Sequence, residues 1–512
     1  MNARWTAGLA TAALVVGGLG TWWWLSQPIK PKHIVLISMD TFRADHVGAM
    51  GLREVTTPHL DWLAEHGMLF ERHVSAAPTT LASHTSLFTG TWPHTHGVPR
   101  NDHLVSEDNA LMAEILAEHG FQTAAILGAM PLGSHSQVLD GFDHIDENFD
   151  THRGVDGVDQ TQRDGELVTD AALSWIDAQT GDAPMFVFVH YFDAHAPYTP
   201  PAPFREAAGA ISGSGNQGTM AHIARTKMWL RRGDPRGKQA SANLEKLYRA
   251  GAEYVDHQVG RLVSGLHTRG LLEETLIIVT SDHGETFDEH LEEPWDHGLS
   301  VYEDTVHTPL IVRHPNGALG GLRYPGVLSS IDLLPTLLDW IELPTPDSVE
   351  GVSFSEVWAG RASVIERGEV FSEATKPHIG RQRGWQNAGM QKAVRRGDSK
   401  LHYLPQVRDH RLYDLATDPG EHQDLSIDDP ETTGALTDVL DDWMASANPL
   451  PSPRLSKGRI QAELAALGYV SDTDTTEPPP DGGDAVPPEA NAPDRRQAPN
   501  KKRKARGRRG QK

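Results

Sequence analysis

TLIIVTSDHGE, residues 275–285, opens as an unbroken apolar run and ends in a cluster of polar and ionisable side chains, Ser281, Asp282 and His283. HIVLISMD, residues 33–40, repeats the pattern and ends in Asp40, and MFVFVH, residues 185–190, repeats it again. Apolar runs of this length, rich in β-branched and aromatic residues, suit strands buried on both faces, as in parallel sheets covered by helices. Between them lie helical periodicities. Leu244, Leu247, Tyr248, Val255, Val259, Leu262, Val263 and Leu266 recur at three- and four-residue spacing, and residues 168–176 read the same way. Alternating strands and helices predict an α/β sandwich.

In an open α/β sheet, ligands bind beyond the carboxyl ends of the strands, so polar clusters far apart in sequence meet there. Asp40, the pair Asp193 and His195, and the pair Asp282 and His283 are therefore expected to converge. Carboxylates and imidazoles without thiolates suit one hard or borderline divalent cation: Ca²⁺, Mg²⁺, Mn²⁺ or Zn²⁺.

The rest of the chain sets bounds. Its 512 residues exceed the needs of one compact core, and 38% hydrophobic with 22% charged residues is ordinary for a globular protein. The formal net charge of -23, with a basic cluster confined to residues 495–509, argues against specific nucleic-acid binding. Cysteine is absent, which excludes disulfides, thiolate metal sites and a cysteine nucleophile.

Residues 5–25 carry no charge and have about the length of 20 residues that a bilayer-spanning helix needs. The expectation is an N-terminal segment, residues 1–27, that serves as a membrane anchor or signal. An uncleaved anchor is favoured over a cleaved signal, with Trp22, Trp23 and Trp24 at the interface and the catalytic domain outside the cytoplasm. Beyond about residue 360 the pattern changes to a small antiparallel sheet over 391–403 and 411–415, and residues 460–467 read as a closing helix. Residues 471–512, Pro-rich and acidic before they turn basic, read as a disordered tail.

APTTLASHTSLFTGTWPHTHGV, residues 77–98, supplies a hydroxyl nucleophile. It resembles the sulfatase family signature, Cys/Ser-x-Pro-Ser-x-Arg running into Ser-Leu-x-Thr-Gly. Aligned on Ser86, Leu87, Thr89 and Gly90, Thr80 takes the nucleophile's place, Ala82 the proline's and His84 the arginine's. The resemblance extends through SMDTFRADHVG with Asp40 and Arg43, HYFDAHAPY with His195, TSDHGETFDEH, HGLSVYEDTVHTPLIV with His297, RLYDLATDPGEHQDLS and the ending ELAALGYV. It covers roughly residues 33–470.

That likeness implies an alkaline-phosphatase-like α/β fold: a large mixed, mostly parallel sheet sandwiched by helices over 33–360, with a small C-terminal α+β subdomain over 361–470. It implies an ester hydrolase or phosphotransferase. Asp40, Thr80, Asp282 and His283 hold one divalent cation, Thr80 is the nucleophile, and His84, His195 and His297 are catalytic contacts. The substrate is a sulfate or phosphate ester, with a glycan or lipid as candidate carrier.

Two departures shape the chemistry. Sulfatases oxidise the motif's Cys or Ser to formylglycine, whereas oxidising threonine's secondary alcohol gives a ketone, so Thr80 has to attack directly, which favours phosphoryl over sulfuryl chemistry. The acidic pair at the first strand is reduced to Met39-Asp40, and the Lys-x-His segment after the next strand reads AAILGA, residues 124–129. A threonine at this place is also an ordinary helix cap, and Thr79 is its rival. Two other readings stay open: a two-metal phosphodiesterase with Asp193, His195 and His297 around the second ion, and a catalytically dead, membrane-tethered scaffold that binds polyanions.

Overall fold

A computed structural model describes residues 29–51, 55–149, 161–209, 217–291, 293–365, 367–374, 390–405, 407–455, 458, 460 and 464. All of these lie in one unit that ends at Val470, and the second unit, Ser471–Lys512, lies outside them, as does the tail expected there. The helix expected over 460–467 falls mostly outside them too.

The larger sheet contains β1 (His33–Met39), β2 (Met68–Val74), β3 (Gln122–Ile126), β4 (His144–Asp146), β5 (Met185–Tyr191), β6 (Thr275–Thr280), β7 (His307–Arg313) and β8 (Leu322–Ser329). Its order is β4-β3-β5-β1-β6-β7-β2-β8, and β7 alone runs antiparallel to its neighbours. The period-two pleat explains the unbroken apolar runs. Ile34 and Leu36 of β1 face one core, whereas Val35 and Ile37 face the other; Phe186 and Phe188 oppose Val187 and Val189 in the same way. Each fully buried side chain of this kind stabilises the fold by roughly 1.5–3 kcal/mol.

Helices cover both faces. On one side lie α1 (Pro58–Glu65), α3 (Gly165–Ala178), α4 (Met220–Arg231) and α5 (Pro235–Thr268), with Leu60, Val168, Ile223, Val255 and Leu262 in the core. On the other lie α2 (Thr80–Thr89) and α6 (Leu333–Trp340), with Leu87, Phe88, Leu334 and Leu337. A second, antiparallel sheet runs β12-β11-β10-β9, from β9 (Val370–Glu373), β10 (Lys392–Arg396), β11 (Ser399–Leu404) and β12 (Asp409–Asp414). Val394, Leu401 and Leu412 from this sheet cluster with Leu436 and Trp443 of α7 (Pro430–Ala445) and with Ala76, Trp92 and Ile331.

The expected localisation, membrane-anchored with the catalytic domain outside the cytoplasm, needs correction: among the described residues no helix is long and apolar enough to cross a membrane. The 34-residue α5 has the length, but one side of it exposes Arg236, Lys238, Lys246 and His257. Its buried stripe meets the sheet and its polar stripe meets water, as in an ordinary amphipathic helix. Residues 5–25 lie outside the described residues.

Candidate active site

Strand register builds the site. β1 lies between β5 and β6, parallel to both, and Ser38 is level with His190 on one side and Thr280 on the other. Asp40, His190 and the Ser281–Asp282–His283 turn therefore emerge together at the sheet's carboxyl edge. β2 ends at the same edge and hands the chain to Ser75, which leads to α2.

The turn after β1 is held in place. Thr41 adopts a left-handed backbone, φ 55°, which is uncommon for a branched residue. Its N–H donates to Asp282 Oδ1 at 3.2 Å, and its carbonyl accepts from the Tyr248 hydroxyl at 2.7 Å. Asp282 Oδ1 also accepts from the His283 N–H at 2.8 Å, while the Asp282 carbonyl accepts from Ser83 Oγ at 2.7 Å and from Ser75 Oγ. Of the Asp282 oxygens, only Oδ2 is not tied to this frame.

Thr79 is the cap residue of α2, extended at φ -154° and ψ 135°, with no capping hydrogen bond from its side chain. Thr80 is the first helical residue and is fully buried, and its hydroxyl donates to Asp40 Oδ2 at 3.4 Å. Gly90 ends the helix in a left-handed turn that a side chain would strain. His84 lies one turn after Thr80. Its Nδ1 donates to the Thr80 carbonyl at 2.7 Å and its Nε2 accepts from Ser38 Oγ at 2.9 Å, so both nitrogens are engaged behind the nucleophile candidate. Burial holds its pKa down to about 4, so the ring is neutral.

Among the described residues, Asp40, Asp282 and His283 form the one group of three whose ligand atoms all lie within 4.8 Å of one another. Asp40 Oδ1, Asp282 Oδ2 and His283 Nε2 are buried and have no hydrogen-bond partner. His283 Nε2 lies 3.3 Å from Asp282 Oδ2, and two buried carboxylate oxygens and an imidazole nitrogen left without hydrogen bonds are costly unless something positive joins them. This donor set fits a divalent cation. Without one, burial and the neighbouring Asp282 push Asp40 well above the usual carboxylate range. Burial pushes Asp282 up as well, but His283, His84 and His190 outweigh that and hold it low.

His195 and His297 face each other with ring centres 5.3 Å apart, and His297 lies 4.5 Å from His283. His195 stacks on Phe192 at 4.2 Å and its Nδ1 bonds the Ala196 carbonyl; burial holds its pKa down to about 3. His297 Nδ1 lies 3.4 Å from Glu285 Oε1, and the other oxygen of Glu285 accepts from the Tyr198 hydroxyl at 3.1 Å. Burial raises the Glu285 carboxyl. Asp193 Oδ1 accepts from Gly165 N at 3.1 Å, at the start of α3, and Asp193 lines the same small cavity as His195.

Met39, where the family's second acid would stand, is fully buried in the core beneath α5, and Leu127 and Ala129 are likewise core residues. Sequence reasoning missed His190, Glu285 and Tyr198. His190 ends an apolar strand, as Asp40 does, and its Nε2 lies 3.2 Å from Asp40 Oδ2, so its position at a strand end was the available signal. Tyr198 sits in a loop and carried no such signal.

The sulfatase family model matches residues 32–343, and a model of the N-sulphoglucosamine sulphohydrolase C-terminal region matches residues 292–446. An arylsulfatase of Clostridium perfringens is 25% identical over 469 residues, covering 78% of this chain and 90% of that protein. A solved complex with its substrate D-glucosamine-2-N,6-O-disulfate superimposes with TM-score 0.67 at 19% identity, covering 81% of this chain and 98% of the other. The phosphonate monoester hydrolase of Agrobacterium radiobacter superimposes with TM-score 0.65 at 21% identity, covering 82% and 96%. Sulfatase family members are metal-dependent, and Asp40, Asp282 and His283 are the candidate ligands here. With the family model spanning most of the described chain and both sheets in place, the chain belongs to the sulfatase family and is a hydrolase acting on ester bonds.

Proposed function

We propose that the protein cleaves or transfers a phosphate or sulfate ester, with phosphoryl chemistry preferred, and that Thr80 is the nucleophile. The observation that carries this reading is the Thr80 hydroxyl, buried and directed at Asp40 Oδ2 at 3.4 Å, beside three donor atoms that lack partners. Asp40, Asp282 and His283, with the Thr80 hydroxyl, would hold one Ca²⁺, Mg²⁺, Mn²⁺ or Zn²⁺, which when bound lowers the hydroxyl's pKa and polarises the ester.

Thr80 Oγ forms a bond to phosphorus or sulfur as the bond to the leaving alcohol breaks, and Asp40 Oδ2, its present acceptor, takes the hydroxyl proton. His297, oriented by Glu285, protonates the leaving oxygen and then draws a proton from the water or second alcohol that attacks the adduct, while the bond to Thr80 Oγ breaks and Asp40 returns the proton to it. Neutral His195 donates its one ring proton from Nδ1 to the Ala196 carbonyl, which leaves Nε2 as an acceptor that orients the incoming water or second alcohol. His84 supports Thr80 from behind rather than touching the ester. Relatives include an N-acetylglucosamine-6-O-sulfatase and phosphonate monoester hydrolases, so a glycan carrier and a phosphorus centre both have precedent among similar proteins.

The two-metal reading has less support, because one oxygen of Asp193 is engaged at the start of α3 and, among the described residues, the one group of three ligand atoms within 4.8 Å of one another is Asp40, Asp282 and His283. Turnover of any aryl ester would exclude the scaffold reading. The test is a Thr80 series on aryl phosphate, phosphodiester and sulfate substrates. Thr80→Ser keeps measurable turnover, Thr79→Ala is mild, and Thr80→Ala loses orders of magnitude. A trapped reaction carries the transferred group on the peptide containing Thr80. Near-normal turnover by Thr80→Ala would end the nucleophile assignment.

A further inference from the structure

We infer that His190 is a positioning residue for Asp40: it holds one carboxylate oxygen so that the other faces the cation site. The inference rests on the reading of Asp40, Asp282 and His283 as that site. His190 is fully buried at the end of β5, level with Ser38 on β1. Its Nε2 lies 3.2 Å from Asp40 Oδ2, the same oxygen that accepts from Thr80. Asp40 Oδ1, in contrast, is buried and has no partner. The two oxygens are thus differentiated, one saturated by protein donors and one left over. Strand register forces the pairing, since Asp40 follows β1 by one residue and His190 sits on the strand beside it.

The tautomer follows from the geometry. With Asp40 ionised, the state a bound cation would impose, its oxygen only accepts, so at 3.2 Å the proton must sit on Nε2; a lone pair there would face another lone pair. Nδ1 then carries a lone pair and has no donor opposite it, which agrees with its having no partner. The ring is packed against two others. It lies nearly parallel to Phe188, with ring planes 19° apart, and meets the His84 ring edge-on at a centroid distance of 5.4 Å.

A phenylalanine would fill this slot between Phe188 and Phe192 as well as a histidine if packing were the whole purpose. Donors that orient ligating carboxylates raise metal affinity, and their loss typically costs 10- to 100-fold. His190 therefore joins the constellation as a residue that acts through Asp40 rather than on the ester.

The experiment measures binding of Mn²⁺, Zn²⁺ and Ca²⁺ to the chelator-stripped full chain by calorimetry, alongside its thermal midpoint. His190→Phe, which keeps the ring and removes the donor, should weaken binding about 10- to 100-fold while the stripped protein melts close to wild type. His190→Gln, whose amide nitrogen reaches the place of Nε2, should bind within about threefold of wild type, as a retained hydrogen bond requires. His190→Leu replaces the phenylalanine variant if that one does not fold. Wild-type affinity in the phenylalanine or leucine variant overturns the inference, as does a glutamine variant no better than they are. Asp40→Ala separates the two levels: if it loses the ion and His190→Phe does not, only the role of His190 falls. If Asp40→Ala binds like wild type, the cation-site reading falls and takes this inference with it.

Discussion

Replacing Asp282 with asparagine should reverse the order of stability of wild type and variant according to whether cation is present. In the wild type, Asp40 and Asp282 place ligand oxygens within 4.8 Å of each other in a fully buried site. At an effective dielectric constant of about 20, two unit charges at that separation repel by about 3.5 kcal/mol. Keeping a proton on Asp40 relieves part of this, which is why burial and the Asp282 charge together raise its pKa. The asparagine keeps the shape of the side chain, and its amide oxygen still accepts from the N–H groups of Thr41 and His283, bonds of 3.2 and 2.8 Å in the wild type. The cation-free variant should therefore exceed cation-free wild type by up to about 3 kcal/mol near neutral pH, the relief of repulsion less the hold that the neighbouring histidines have on the Asp282 charge. Asp40 is raised in the folded state, so its ionisation destabilises the folded wild type increasingly as pH rises, and the difference between the proteins widens in that direction. With cation at about 100 times its dissociation constant, wild type gains about 2.7 kcal/mol, and the variant, which has lost a charged ligand, gains less. Urea denaturation in chelator and in excess Mn²⁺ measures all four states. A variant that is less stable than wild type in chelator, or equally stabilised by the ion, would show that the two carboxylates do not form a strained, cation-dependent pair.

Gly284→Ala should destabilise by several kcal/mol and abolish cation binding, because a Cβ there would meet the Asp304 carbonyl at 2.1 Å and displace the turn that carries His283; a normal melting midpoint would refute it. Burial pushes the Asp256 carboxyl up to about 7 although it accepts from the N–H groups of Leu60 and His59. Its unfolded value is near 4, so the folded state holds the extra proton between about pH 4 and 7 and loses up to about 1.4 kcal/mol per pH unit as pH rises across that window. Asp256→Asn should flatten this slope, read from urea midpoints at pH 5 and pH 8. Lys400→Met should cost about 3–5 kcal/mol by equilibrium unfolding, since the buried Lys400 ammonium serves Glu303 at 2.8 Å and Glu421 at 3.0 Å and its removal leaves both acids short of a partner.

The parts of the fold legible in the sequence are those that bury both faces of a strand. β1, β5 and β6 read as apolar runs because each alternate side chain meets a separate core, and their polar endings marked the sheet's carboxyl edge. β2, MLFERHV, and β8, LRYPGVLS, were not legible, because partly exposed positions interrupt the apolar pattern. The antiparallel insertion of β7 between two strands of the opposite direction left no mark in composition. β9, at the edge of the smaller sheet, has four residues and is too short to show a period. The same limit explains the site. Asp40, Asp282 and His283 could be named because each closely follows a strand, but the contact between His190 and Asp40 depends on which strands are neighbours, and strand order is a property of the packed sheet.

Thr79 and Thr80 show how far local sequence reasoning extends at the site itself. Both are β-branched hydroxyl residues, either can cap a helix, and a shift of one residue exchanges their roles. What separates them is the direction of the chain as it leaves β2. Thr79 takes the extended backbone of a cap residue, and its side chain makes no capping bond. Thr80, already helical, is turned inward toward Asp40, and His84, one turn on, bonds its carbonyl from within the same helix. A helix buried along its whole length needs no polar side chain at its first turn for packing, and a buried hydroxyl carries a desolvation cost that a valine of similar shape would avoid. The hydroxyl of Thr80 is therefore better accounted for by chemistry at Asp40 than by the stability of α2, and Thr80→Val is the variant that separates the two: a stability equal to wild type, with turnover lost, follows from the first account, whereas a large loss of stability follows from the second.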